Sequence, residues 1–196
     1  MTRSLDVIPV VHTEADLGGL AASLRAEMGE RAWADKQQVV AQAWERITGW
    51  ARAIDARHTM LYQDGLPAVD AAERIVRDLA ANGSVNHRVL VTLIDHGAQL
   101  VGTECPDLLL REYELAKAGA AGLASGTPDA IESSDLLAQR DRWIAAQIDR
   151  TLPEDGRGVL FVGLLHEVER VLAEDIEVRH PLGRPRVVAG DELPKH

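Results

Sequence analysis

Three observations predict an α/β fold: a single domain over residues 1–182 with a mainly parallel central sheet of four to five strands flanked by helices, then an extended tail over 183–196. Short apolar runs rich in β-forming residues alternate with stretches whose apolar residues recur every three or four positions, the pattern of strand–helix–strand units. Several of these runs end on Gly, His or an acidic residue, as parallel strands do where they deliver side chains to a crevice. No repeat, linker or shift in composition divides the 196 residues, which suffice for one sizeable core.

Taken in order, residues 6–11 (Asp-Val-Ile-Pro-Val-Val) read as a buried strand, and Pro9 marks it as an edge or distorted one because proline cannot donate to a ladder. Thr13 is placed to cap a helix from Glu14, with Leu17, Leu20, Ala21 and Leu24 on one face and Gly29 at its end. Residues 31–56 form a long helix on which Trp33, Val40, Trp44, Ile47, Ala51 and Ile54 follow a near-heptad seam. That seam serves core packing or a homodimer interface.

Residues 59–62 are the second strand, and Gln63-Asp64-Gly65-Leu66-Pro67 reads as a turn. Helices follow over 68–81 and, capped by Ser84, from there to Asp95; His96-Gly97 closes the second. The third strand is 98–102, and Pro106 opens a helix that Gly119 ends. The Gly- and Ala-rich stretch 119–130 reads as a loop, either a lid or an inert connection. A helix from Ser133 or Ser134 runs to Arg150, with Leu136, Leu137, Ile144 and Ile148 inward and Arg140 and Arg142 elsewhere on its surface, either reaching an anionic substrate at the crevice or standing as ordinary surface charges. Strand 158–162, a short helix after His166 and a last strand at 175–179 complete the domain.

A formal charge of -10 gives no bulk electrostatic support for nucleic-acid binding. Cys105, the single cysteine, excludes an internal disulfide and zinc-thiolate pairs, and its neighbour Glu104 opposes a thiolate nucleophile. No signal-peptide pattern opens the sequence and no apolar run approaches a membrane span, so the expectation is a soluble, cytoplasmic protein.

Just past the strand ends stand His12, Glu14, Asp64, Glu104 and His166. Imidazole and carboxylate are ligand types for a divalent metal, zinc or manganese, which makes a nucleophile of bound water. The same groups also suit metal-free catalysis, with His166 as general base and Glu104 or Glu14 as its partner. Each carboxylate alone is equally suited to capping a helix. No G-x-G-x-x-G or G-x-x-x-x-G-K-[ST] occurs, so a nucleotide cofactor is unsupported.

Gly163-Leu164-Leu165-His166 after an apolar strand, Val101-Gly102-Thr103-Glu104, and Pro9-Val10-Val11-His12 together resemble the TraB, ChaN and erythromycin-esterase-like superfamily, although Pro9 stands where that group carries Gly. The resemblance implies an α/β hydrolase-like function with His12, Glu104 and His166 as ligands or acid–base groups, supported by Glu14 and Asp64. The expected function is a metal-dependent or His/Glu-dependent hydrolase of a small-molecule or peptide substrate. The alternative is a non-catalytic, small-molecule-binding or dimeric protein that pairs through the 31–56 helix.

Overall fold

A computed structural model describes residues 2–11, 13, 20–120 and 130–183. Its strands are β1 (Arg3–Val10), β2 (Thr59–Pro67), β3 (Gln99–Glu104), β4 (Arg157–Gly163) and β5 (Ile176–Arg179). The helices are α1 (Leu20–Met28), α2 (Glu30–Ala53), α3 (Ala72–Ala81), α4 (Val85–Asp95), α5 (Pro106–Ala120) and α6 (Ala130–Thr151), and a 3-10 turn spans Val168–Val171. All strand pairs among the described residues are parallel, in the order β3-β2-β4-β1-β5. The α/β fold predicted from the alternation is therefore observed.

Alternation along each strand builds two cores. Ile8, Val10, Leu61, Val159 and Phe161 face one side and pack with Val40, Trp44, Ile47 and Ala51 of α2, Val76 of α3 and Val89, Leu90 and Leu93 of α4. Leu5, Val7, Tyr62, Leu160 and Val162 face the other side and pack with Ile144, Ala145, Ile148 and Val168. Val40, Trp44, Ile47, Ala51 and Ile54 of the α2 seam thus pack in or against the chain's own core, and Trp44 Nε1 donates to the Val11 carbonyl at 2.9 Å, pinning the end of β1.

β1 is not the edge strand that Pro9 suggested. It lies between β4 and β5, but β5 pairs only with Arg3–Asp6. Pro9 therefore has one strand neighbour, β4, so its missing N–H is tolerated. The expected turn at 63–67 is instead the irregular end of β2. Pairing with β3 shifts register between Gln63 and Pro67, and the Thr103 hydroxyl donates to the freed Gln63 carbonyl at 2.5 Å. Gly102 allows this crossing, since a Cβ there would lie 2.2 Å from the Pro67 carbonyl oxygen. α3 accordingly starts at Ala72 rather than 68, while Ser84 caps α4 as expected, accepting from the His87 N–H. α6 starts at Ala130, earlier than expected. Residues 14–19, 121–129 and 184–196, with the expected first turns of α1, the loop and the tail, lie outside the described residues. No helix among the described residues is long and apolar enough to cross a membrane.

The topology also locates the crevice. From β2 the chain moves outward to β3, and from β4 it moves the other way to β5. It diverges between the adjacent carboxyl ends of β2 and β4, the kind of switch point at which open α/β sheets bind ligands.

One packing detail yields a measurable pH dependence. Tyr62 is fully buried, with its hydroxyl 3.0 Å from Thr151 Oγ1. Burial raises its phenol to about 12, against the opposing effects of the Thr151 hydrogen bond and the Arg3 charge. A raised native value stabilises the fold fully below the unfolded value of about 10, and the contribution is lost as pH rises through the native value. The gap is worth roughly 2–3 kcal/mol. Spectroscopic titration is expected to show Tyr62 ionising late, near its raised value. The slope of stability between about pH 10 and 12 should shrink in Tyr62→Phe; an unchanged slope would contradict the assignment.

Candidate functional site

The sequence Gly163-Leu164-Leu165-His166 folds as a tight turn after β4, with the His166 N–H donating to the Gly163 carbonyl at 3.2 Å. The turn returns the imidazole to the sheet's carboxyl edge. There His166 Nδ1 meets Asp141 Oδ1 at 2.5 Å, and the other oxygen of Asp141 accepts from the Glu167 N–H at 2.9 Å. A carboxylate beside Nδ1 assigns the proton to that nitrogen. Nε2 then points towards Asp64, 3.4 Å from Oδ2. The same oxygen accepts from the Gly163 N–H at 2.6 Å, tying the ends of β2 and β4 together.

Glu104 closes the group from β3. It is 0% exposed, and its Oε1 lies 2.5 Å from Arg140 Nη2, with Arg140 Nε at 3.1 and 3.2 Å from its two oxygens. Gly65, held at φ 73 where a side chain is strained, brings its N–H within 3.2 Å of Glu104 Oε1. Arg140 also pairs with Glu112 and stands 3.5 Å from Asp64 Oδ1.

Electrostatics follow from burial and partners. Burial pushes the His166 imidazole down, but the Asp141 hydrogen bond and the charges of Asp64 and Asp141 outweigh it and leave the ring above the usual histidine value. Arg140 is likewise opposed by burial and held above its ordinary value by Glu104, Glu112 and Asp64. Four carboxyl groups surround one guanidinium and one imidazole, a formal excess of negative charge even with His166 protonated.

Asp64, Glu104 and His166 form a group that could hold a metal ion, their ligand atoms all lying within 4.8 Å of one another. The fit is chemical as well as spatial. One imidazole and two carboxylates suit a borderline divalent ion, and Asp141 on Nδ1 is the outer partner that metal-bound histidines usually have. Glu104 Oε2 contacts only Arg140 Nε among its recorded hydrogen bonds, which leaves it lone-pair capacity. Ligands at about 2.1 Å from one ion stand at most about 4.2 Å apart, so any wider pair has to draw in.

Of the five residues proposed from sequence, the structure brings together Asp64, Glu104 and His166, whereas His12 and Glu14 lie outside the described residues. The partner of His166 is Asp141, not Glu104, because Arg140 takes the Glu104 carboxylate. Neither Asp64 nor Glu104 spends its carboxylate on a helix cap: Asp64 accepts from Gly163, and Glu104 binds Arg140 and Gly65. Arg140 is no surface charge. It is 4% exposed inside the site, while Arg142 is exposed as expected. Spacing held the missed signal, since Arg140 and Asp141 fall between Leu137 and Ile144 at the helical interval of the inward face. Cys105 is partly buried with a free thiol.

Asp64 and His166 of the group open on a cavity of about 570 Å³, lined also by Val10, Val11, Lys36, Gly65, Glu112, Leu137, Arg140, Gly163, Leu164 and Leu165. A smaller cavity, about 280 Å³, shares Gly163, Leu164 and His166 but is lined by neither Asp64 nor Arg140. The larger one is therefore the candidate substrate space. No protein-family model matches the chain, and neither a curated protein nor a solved structure matches it.

Proposed function

We propose that this chain is a metal-dependent hydrolase of a small-molecule or peptide substrate, with Asp64, Glu104 and His166 as metal ligands, zinc or manganese as the metal, and Asp141 and Arg140 as positioning residues. The observation that carries the reading is the convergence of the three side chains from the ends of β2, β3 and β4 beside a cavity of ligand size. The resemblance of G-L-L-H and V-G-T-E to the TraB, ChaN and erythromycin-esterase-like group points the same way. A bound divalent ion supplies a water of lowered pKa, a nucleophile at neutral pH.

The chain's own part is orientation. Asp141 fixes the tautomer and plane of His166. Arg140 and the Gly65 N–H fix Glu104, and the Gly163 N–H fixes Asp64. A metal-free mode of the same site is favoured by one observation: His166 stands between Asp141, 2.5 Å from Nδ1, and Asp64, 3.4 Å from Nε2, carboxylates that favour the protonated ring and suit it to general acid–base work.

The test is a panel of small esters and dipeptides incubated with protein loaded with zinc or manganese, then stripped by a chelator. Hydrolysis that falls on stripping and returns with metal is the expected result. Absence of turnover across both substrate classes, loaded and stripped, would overturn the hydrolase reading; turnover indifferent to stripping would leave only its metal-free mode.

A further inference from the structure

The cavity has an asymmetric lining. Arg140 spends its guanidinium on Glu104, Glu112 and Asp64. Lys36 of α2 also lines the cavity, and among the described residues no carboxylate forms a salt bridge with it. Its Nζ lies 5.5 Å from the centroid of the Trp33 ring, one helical turn away, and Trp33 is itself buried. The ammonium is thus supported by an aromatic face and left with its charge unspent. The uncharged part of the lining is mostly aliphatic: Val10, Val11, Leu137, Leu164 and Leu165. Leu165 is 73% exposed, an apolar contact offered at the turn that carries His166.

We infer that Lys36 is the specificity-determining residue of this cavity, selecting an apolar substrate that carries one anionic group, a carboxylate or a phosphate. The inference rests on the hydrolase reading for the word substrate, but the recognition stands on the lining alone. Asp64 and Glu112 repel an anion from the His166 region, whereas Lys36 attracts it. A molecule with an anionic end and an apolar body is therefore held in one orientation: anion at Lys36, body against the leucines and valines, remaining end towards Asp64 and His166. A cationic ligand of the same shape is oriented the other way round.

Binding of hexanoate, followed by amide chemical shifts in the labelled full chain, tests this without requiring turnover; hexylammonium is the control of opposite charge and methyl phosphate the phosphate arm. The parent is expected to bind hexanoate, with shifts at Gly65, Leu164 and Leu165. Lys36→Met, which keeps an unbranched stem, is expected to weaken it about tenfold or more, and Lys36→Arg to stay within about threefold. Hexylammonium binding should not weaken in Lys36→Met, and the spectra report directly whether each variant is folded. Methyl phosphate bound through Lys36 without hexanoate would restrict the anion to phosphate. No anion shifting the cavity amides, or equal hexanoate affinity in parent and Lys36→Met, would overturn the inference. Lys36-dependent binding without hydrolysis would sink the hydrolase reading alone; hydrolysis without Lys36-dependent binding would sink the recognition alone.

Discussion

Arg140→Ala is expected to cost about 3–5 kcal/mol of folding stability, the range for removing one partner of a buried ion pair. Glu104 is 0% exposed, and the guanidinium is its principal counter-charge. Without it, a carboxylate stays buried beside Asp64, with the Gly65 N–H as its remaining donor. The cost arises from that stranded charge rather than from the net worth of the pair, because two desolvated ions largely cancel their own attraction. A double variant, Glu104→Gln with Arg140→Met, should therefore recover most of the loss. Urea unfolding of parent, single and double variants checks both statements, provided the denaturant slope is unchanged. A loss below about 1 kcal/mol for Arg140→Ala would mean that the pair behaves like an exposed one.

His166→Asn is expected to remove a metal ligand and so lower hydrolysis by at least about 10²-fold, more than the loss of a residue that only orients a ligand, and to do so without unfolding the chain. Asparagine can still donate an amide N–H to Asp141, but it offers no imidazole nitrogen towards Asp64. Asp141→Asn should cost less, about 10- to 100-fold, because it leaves the imidazole in place and loosens its orientation. A structural role for His166 would give the opposite pattern: both substitutions would lower stability, and neither would change the rate of the folded fraction.

The sheet was legible in the sequence because each strand is a short aliphatic run and each crossover a periodic helix. The end of β2 was not, since Gln63-Asp64-Gly65-Leu66-Pro67 has the composition of a turn, yet its backbone continues along β3 through a register shift that Gly102 accommodates. Pro9 misled for a related reason: composition identifies an edge, but only topology shows that β5 stops short of it. Asp64, Glu104 and His166 were legible from their places after strands, whereas Arg140 and Asp141 were not. On α6 a charged residue reads as solvated, and its partners are 76, 36 and 25 positions away in Asp64, Glu104 and His166. Long-range electrostatic pairing leaves little local trace beyond a polar residue at an inward interval.

Metal stoichiometry of the purified, untagged chain after reconstitution with zinc or manganese tests the central claim most directly, with Asp64→Asn, Glu104→Gln and His166→Asn measured alongside. The prediction is about one ion per parent chain and little in each folded variant. A parent that binds no stoichiometric metal, or variants that load as fully as the parent, would contradict a metal centre built from the ends of β2, β3 and β4.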